Sequence, residues 1–418
     1  MAAGGVLAGV GSIDLTDYEL WRHGVPHDLL TRLRREAPVW RHPATSGTER
    51  IGGSFWLLSR HDDVQAASRD HVRLRSLEGP SLAGDPGQEG MRIVAIDPPQ
   101  HTRLRRLISA GFTPRMTAAL EDRARTWAVQ IIEAALERGT VNFVQEVAYQ
   151  LPMHMIADIV GIPESDRSWL FERAKVLLQA TDPRSPLTPE ERREAGIEMF
   201  VYADELAAEK RRSPTSDVWT TLTTAEIEQE DGSRTGLSEL ELDLFFMVLV
   251  FAGSETTRSA IAGGLLALLE HPDQLARLRS DPGVLATAPD EIIRWTSPVT
   301  YFKRTATEDL EIRGQEIEAG ERVVLCYASA NRDEDVFTDP FRFDIARRPN
   351  PQVSFGGGGV HYCLGANLAK REVRVLFEEL VARVADIELV GTPGYSVQGI
   401  ENPITVALED LPVRLTPR

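Results

Sequence analysis

The feature that most constrains this chain is a glycine-rich run that releases a cysteine into a helix. Ser354-Phe355-Gly356-Gly357-Gly358-Gly359-Val360-His361-Tyr362-Cys363-Leu364-Gly365 is followed by the helical Ala366-Asn367-Leu368-Ala369-Lys370-Arg371-Glu372. A helix N-terminus and its free N–H groups favour a charged sulfur, so Cys363 reads as a thiolate. The glycines let backbone, rather than side chains, face whatever the sulfur binds. Among common partners a flat, bulky metal macrocycle suits that geometry best. The competing reading is a small buried cysteine after an ordinary loop. A phosphate-binding loop fails, because no Gly-Lys-[Ser/Thr] ending follows.

The chain has 418 residues and only two cysteines, Cys326 and Cys363. A disulfide framework is therefore excluded in practice, and a reducing, cytoplasmic compartment is expected. Cys326, in Val323-Val324-Leu325-Cys326-Tyr327, reads as a buried small hydrophobe. With 42% hydrophobic and 26% charged residues, a sizeable core can form. The net charge of −17 argues against nucleic acid as a partner. The first ten residues lack a basic region, and the longest apolar run, Leu242 to Gly253, is of core-helix length. No membrane anchor is expected.

Residues 1–20 read as a loose leader and residues 21–418 as one mostly helical domain. Phe55–Ser59 is expected as a strand and Asp62 as a helix start; Leu77–Gly90 and Thr181–Pro189 carry loop signals. Helical patterning covers Thr102 to about Gly139 and Phe143–Val160. After the turn-like Gln229–Gly236, Ser238 is placed to cap a helix that runs to about His271. That helix is apolar on nearly all sides in its middle and must cross the interior. Short strands are expected at Leu310–Ile312, Arg322–Leu325, Ser396–Ile400 and Ile404–Leu408.

The buried helix contains Ala252-Gly253-Ser254-Glu255-Thr256-Thr257. An acid and three hydroxyls inside an apolar run are costly to bury and need partners. In one reading Gly253 leaves room for a diatomic ligand, Thr256 holds a water and Glu255 relays protons towards it. In the other, the hydroxyl bonds back to a carbonyl one turn earlier and Glu255 reaches solvent. Beside a thiolate loop the relay is the stronger reading. His101 and Arg105, four apart after Asp97-Pro98-Pro99, share a helix face that suits paired carboxylates, or is a solvated basic face.

These motifs, in this order, resemble the cytochrome P-450 family over nearly the whole chain. The cysteine run resembles its axial-ligand loop, Ala-Gly-x-[Asp/Glu]-Thr its oxygen-activation segment, and Asp-Pro-Pro-x-His-Thr-Arg-Leu-Arg its propionate-binding helix. Glu291-Ile292-Ile293-Arg294 resembles its structural Glu-x-x-Arg pair, with Arg342, or by spacing Arg347, as the third member. The resemblance implies a mainly α, triangular fold with small β-sheets, and heme b (iron protoporphyrin IX) ligated by Cys363. Haem iron on a cysteine thiolate is the arrangement that splits dioxygen. The resemblance further implies propionate contacts from His101, Arg105, Arg304 and His361, and catalytic roles for Thr256 and Glu255. One departure stands out: Phe355 lies eight residues before Cys363, where the family has seven, which puts the packing of that ring in question.

The implied activity is monooxygenation of a hydrophobic small molecule with O2. The electrons would come from a separate ferredoxin and an NAD(P)H-dependent reductase. A peroxide-driven peroxygenase and a non-catalytic haem-binding protein are the alternatives. A weaker likeness to an actinobacterial branch that oxidises sterols and branched lipids favours a substrate of that kind. Lys370, Arg371, Arg103 and Arg106 are either a ferredoxin dock or a solvated face. The pocket is expected between Leu77–Met91, Leu177–Pro189, Val248–Gly253 and Val299–Phe302.

Overall fold

Helices α1 (Gln100–Ser109), α2 (Pro114–Arg138), α3 (Gln150–Val160), α4 (Glu239–Glu270), α5 (Ala288–Thr296) and α6 (Ala366–Arg383) position the site. The computed structural model describes residues 9–82, 90–109, 111, 114–179, 187–228, 232–397 and 406–418. It is mainly helical with small sheets, as expected. Helix α4 is the axle. Ser238 accepts from the Glu241 N–H and Glu241 Oε2 accepts from the Ser238 N–H, a reciprocal cap that fixes its start. Ala260, Ile261 and Ala262, about 100° apart around the axis, are all buried, as are Leu265, Leu266, Ala267 and Leu268. Helices α3, α5, α6 and Pro189–Arg212 pack around it. Among the described residues it is the one helix long and apolar enough to cross a membrane, and most of its apolar stretch is buried inside the protein.

The helical pattern from Thr102 divides into α1 and α2, because Pro114 takes the first position of a new helix. Phe143–Val160 is likewise composite: a π-helical turn, Val144–Ala148, precedes α3. Strands β1 (Val39–Arg41), β2 (Trp56–Leu58), β3 (Leu74–Arg75), β4 (Tyr301–Ala306) and β5 (Arg322–Cys326) form a sheet in the order β1-β2-β5-β4-β3. All its pairings are antiparallel except β2 with β5. Cys326 ends β5 fully buried, and burial pushes its thiol up to about 11, as befits a small core residue.

The expected loose leader is not loose over its described part. Ile13 and Leu15 join Trp21, Leu30 and Leu33 in a core cluster, since the apolar side chains of that segment gain by leaving water. The expected C-terminal strands form a hairpin of β6 (Gly394–Val397) and β7 (Val406–Asp410); residues 398–405 lie outside the described residues. So do 83–89 and 180–186, parts of two expected pocket walls, and 229–231 of the expected turn. The end of that turn, Arg234–Gly236, pairs instead as a strand with Glu226–Glu228.

Candidate active site

Gly356 to Gly359 all have positive φ. Two of them show why no other residue would serve. A Cβ on Gly359 would lie 2.5 Å from the Ser68 carbonyl oxygen, and one on Gly357 would lie 2.8 Å from Ser68 Oγ. The loop is pressed onto the helix His61–Arg69, and its extra glycine is absorbed in that left-handed run. Phe355 stays at the site: its carbonyl accepts from the Cys363 N–H at 3.0 Å and it lines the same cavity as Cys363. The ring centroids of Phe355 and Tyr362 are 6.2 Å apart.

Cys363 sits two residues before the Gly365 N-cap of α6 and faces the cavity. Burial pushes the Cys363 thiol up, and the N–H groups of Gly365 and Ala366 and the Arg105 guanidinium offset it only in part. A coordinating metal deprotonates such a thiol outright.

His101, Arg105, Arg304 and His361 line the same cavity. The rings of His101 and His361 are 4.3 Å apart. His361 Nε2 lies 3.1 Å from Ser76 Oγ and 3.7 Å from Asp97 Oδ1. Burial lowers His101 to about 4, with the charges of His361 and Arg105 adding to it. Burial also lowers Arg105 and Arg304 from their ordinary values. For Asp97 burial would raise the carboxyl, but His361 and the Ser76 N–H outweigh it and hold it low. Two arginines, Arg105 and Arg304, and two imidazoles thus converge on the cavity, and the buried His101 Nδ1 has no partner among the described residues. The remaining walls are mostly apolar, from Ile93, Val94, Phe245, Val248, Val299 and Phe302. A flat apolar group with acidic edge substituents and a sulfur-seeking metal fits this set.

The cytochrome P-450 family profile matches residues 169–282 and 284–384. The chain belongs to the cytochrome P-450 family. It is 44% identical over 390 residues to the "Putative cytochrome P450 126" of Mycobacterium tuberculosis, covering 92% of this chain and 93% of that one. It is 38% identical to the "Steroid C26-monooxygenase" of Rhodococcus jostii, over 91% of this chain and 80% of the relative. It is also 38% identical to the "Methyl-branched lipid omega-hydroxylase" of M. tuberculosis, over 92% and 91%. The solved structure of Mycobacterium marinum cytochrome P450 CYP268A2 with pseudoionone superposes with a TM-score of 0.86. That pair shares 37% identity over 97% of this chain and 100% of that one.

In this cytochrome P-450 the segment expected to serve oxygen activation is split between two faces of α4. Thr256 lines the cavity with Ala252 and Gly253, and its hydroxyl donates to the Ala252 carbonyl at 2.7 Å. Glu255 does not line it. Its side chain is buried, yet it does not reach solvent either. It is held by Arg258, which also donates to the Leu408 carbonyl of β7 at 3.1 Å. Glu255 further helps raise the Tyr149 phenol, after burial. The expected relay residues are therefore not brought together in the cavity.

The Glu-x-x-Arg pair is internal, with Glu291 and Arg294 both 0% exposed. The third member is Arg347, not Arg342: Arg347 Nε donates to Glu291 Oε2 at 3.1 Å. Arg342 contributes only its carbonyl, which accepts from Arg347 Nη2 at 2.8 Å. The pair reaches the cysteine loop through Asn331, whose Oδ1 accepts from the Val353 N–H and whose Nδ2 donates to Ser354 Oγ. Of the cations expected as a dock or a solvated face, Lys370 pairs with Asp290, Arg371 with Glu121 and Arg103 with Glu241. Beside them Arg374 also pairs with Glu121, and Arg125 with Glu378 and Glu379. Arg106 is exposed. Sequence reasoning missed Ser76, Thr257 and Glu372; for Asp97 the signal was present in the Asp-Pro-Pro run.

Proposed function

We propose that this cytochrome P-450 is a cytoplasmic haem-thiolate monooxygenase acting on a hydrophobic small molecule, with a steroid or a branched lipid favoured. The observation that carries this reading is one cavity lined by Cys363, by Arg105 and Arg304 with two imidazoles, by Thr256 and by otherwise largely apolar walls. Cys363 would ligate the iron of heme b, and His101, Arg105, Arg304 and His361 would take its carboxylates. Once bound, the haem supplies dioxygen activation and oxidation of an unactivated C–H bond. The protein's part is to orient the substrate against Val248 and Phe302, to exclude water with these apolar walls, and to hold a proton at Thr256. Electrons would come from a separate ferredoxin and its NAD(P)H-dependent reductase.

The steroid or branched-lipid preference is supported by the relatives that carry those activities and by the apolar lining. The deciding measurement is an optical titration of the ferric protein with sterols, branched fatty acids, terpenes and macrolides. A spin-state shift with sterols or branched lipids supports the preference; a shift only with terpenes or macrolides discards it. Absence of a haem spectrum overturns the whole reading. One observation favours a peroxide-driven peroxygenase as second reading: Glu255 is withdrawn from the cavity, so the acid expected beside Thr256 is missing there.

A further inference from the structure

Asn331 is fully buried, and its whole side-chain amide is in use. Its Oδ1 accepts from the Val353 N–H at 2.9 Å. Its Nδ2 donates to Ser354 Oγ at 2.8 Å and to Ser297 Oγ at 2.9 Å. Each of these hydroxyls commits its own hydrogen to a carbonyl at 3.0 Å, Ser354 to Ile293 and Ser297 to Arg294. A hydroxyl whose hydrogen is committed can only accept, so the two serines call for N–H donors and Val353 for an acceptor. An asparagine amide meets all of these demands. The carboxylate of an aspartate, of the same shape, meets only the last.

The two serines open different parts of the cavity lining. Ser354 leads into Phe355, and both line the cavity; the Phe355 carbonyl accepts from the Cys363 N–H. Ser297 follows α5 with a left-handed φ of +42° and turns the chain into Pro298, Val299 and Phe302, part of the apolar wall. That conformation costs a serine about 1–3 kcal/mol, and the bonds of its hydroxyl to Arg294 and Asn331 help to hold it. The Asn331 backbone adds to the same junction. Its carbonyl accepts from Arg294 Nη1 at 2.7 Å, and its N–H donates to the Tyr327 carbonyl at 2.9 Å. From the same short helix, Tyr327–Ala330, the Ala328 N–H donates to the Thr300 carbonyl at 3.1 Å.

We propose that Asn331 is a positioning residue whose side-chain amide sets the spacing between the cysteine loop and the wall at residues 298–302. That spacing determines the fit of a ligand held between Cys363 and the wall. The Glu291 cluster reaches Asn331 through the Arg294 guanidinium and the Asn331 backbone carbonyl, whereas the side chain joins loop to wall. A buried amide with its hydrogen bonds satisfied is rigid, so a shift at either serine is passed to the other. The inference rests on the reading in which Cys363 holds haem and the substrate lies against this wall. It adds the residue that fits the two to each other.

The test uses haem-loaded protein and two azole probes followed by their optical spectra. Imidazole reaches the iron alone, while phenylimidazole carries a ring that must also fit against the apolar wall. Asn331→Asp keeps the shape and removes both donors. A changed spacing alters the ratio of the two dissociation constants, whereas general loosening or partial loss of haem moves both alike. N331D should change that ratio by about tenfold, the scale of a small misfit in an apolar site. Ser297→Ala and Ser354→Ala, each lacking one arm, should change it less and in the same sense. An unchanged ratio in folded N331D overturns the proposal, as does an unchanged ratio in both serine variants if N331D does not fold. A wild type without a haem spectrum counts against the haem reading instead. Hydrogen exchange of the 353–363 peptide in haem-free protein then tests Asn331 by itself. Faster exchange in N331D and S354A supports its hold on the loop, and unchanged exchange overturns it.

Discussion

Arg258 holds Glu255 from three residues further along the same helix, its Nε donating to Glu255 Oε2 at 3.0 Å with both side chains buried. The same guanidinium donates to the Leu408 carbonyl, so it ties α4 to the C-terminal hairpin while fixing the acid. Removing it would leave a carboxylate in a low-dielectric interior with nothing to balance it. Arg258→Ala should therefore lower the unfolding free energy by about 3–5 kcal/mol. Adding Glu255→Gln to that variant should recover much of the loss. Urea-denaturation midpoints of the wild type, both single variants and the double variant check this. Additive losses would show that the two residues do not stabilise each other.

Arg347 and Arg342 separate cleanly. Arg347 meets the fully buried Glu291, whereas the Arg342 side chain is exposed and only its backbone is used. Arg347→Ala should cost about 3 kcal/mol or more and weaken haem retention, because Glu291 anchors the segment leading into the cysteine loop. Arg342→Ala should stay within about 0.5 kcal/mol. Thermal unfolding and haem content of the purified variants distinguish them.

Gly359 tests the packing of the loop. Its φ is +80° and an added Cβ would overlap the Ser68 carbonyl. Gly359→Ala should cost more than the ~1–2 kcal/mol of a left-handed alanine and should displace Cys363. The expected readout is poor haem uptake with a normal far-ultraviolet circular dichroism spectrum. Normal uptake would mean that the loop lifts from the His61–Arg69 helix without effect on the sulfur.

Thr256 decides between the two chemistries. Thr256→Ala leaves the apolar walls in place and removes one cavity hydroxyl. A monooxygenase should then release peroxide at the expense of product by about tenfold or more, within the range of a positioned proton-handling group. Unchanged product yield with added peroxide would favour the peroxygenase. Product and peroxide per NADH oxidised are the quantities to measure.

Asp243 gives a pH-dependent stability. It is buried on α4, its Oδ1 has no partner among the described residues, and burial, with the charges of Asp204 and Glu239, raises it to about 6. The folded state thus holds this proton more tightly than the unfolded chain. Its contribution is fully present below the ordinary value of 3.8 and is lost as pH rises through about 6. Asp243→Asn should be more stable than the wild type above pH 6 by about 1–3 kcal/mol, and the gap should close in acid. Denaturation midpoints across that range test the sign.

The family and its main landmarks were legible because they rest on local grammar. A cysteine after glycines, a capped all-apolar helix and an Asp-Pro-Pro step each carry their meaning within a dozen residues. Relationships that depend on helix rotation or long loops were not. Glu255 and Thr256 are adjacent in sequence, but a helix turns about 100° per residue, so one faces Arg258 and the other the cavity. Arg347 rather than Arg342 completes the Glu291 cluster because the chain bends between them, and spacing alone permits either. Glu372 sits among charged neighbours in the sequence, and nothing local marks it as buried. Only the packing of α6 against α4 shows that it points inward.

The ion pairs that join α2 to the cysteine helix have a consequence for encounter kinetics. Glu121, Glu378 and Glu379 together balance Arg371, Arg374 and Arg125, so these cations offer little net field to an approaching acidic protein. With a formal charge of −17 on the whole chain, long-range attraction would be weak or reversed. A redox protein landing on this face would then associate at rates nearer the ~10⁵–10⁶ M⁻¹s⁻¹ of unsteered pairs. Added salt should leave that rate unchanged or raise it.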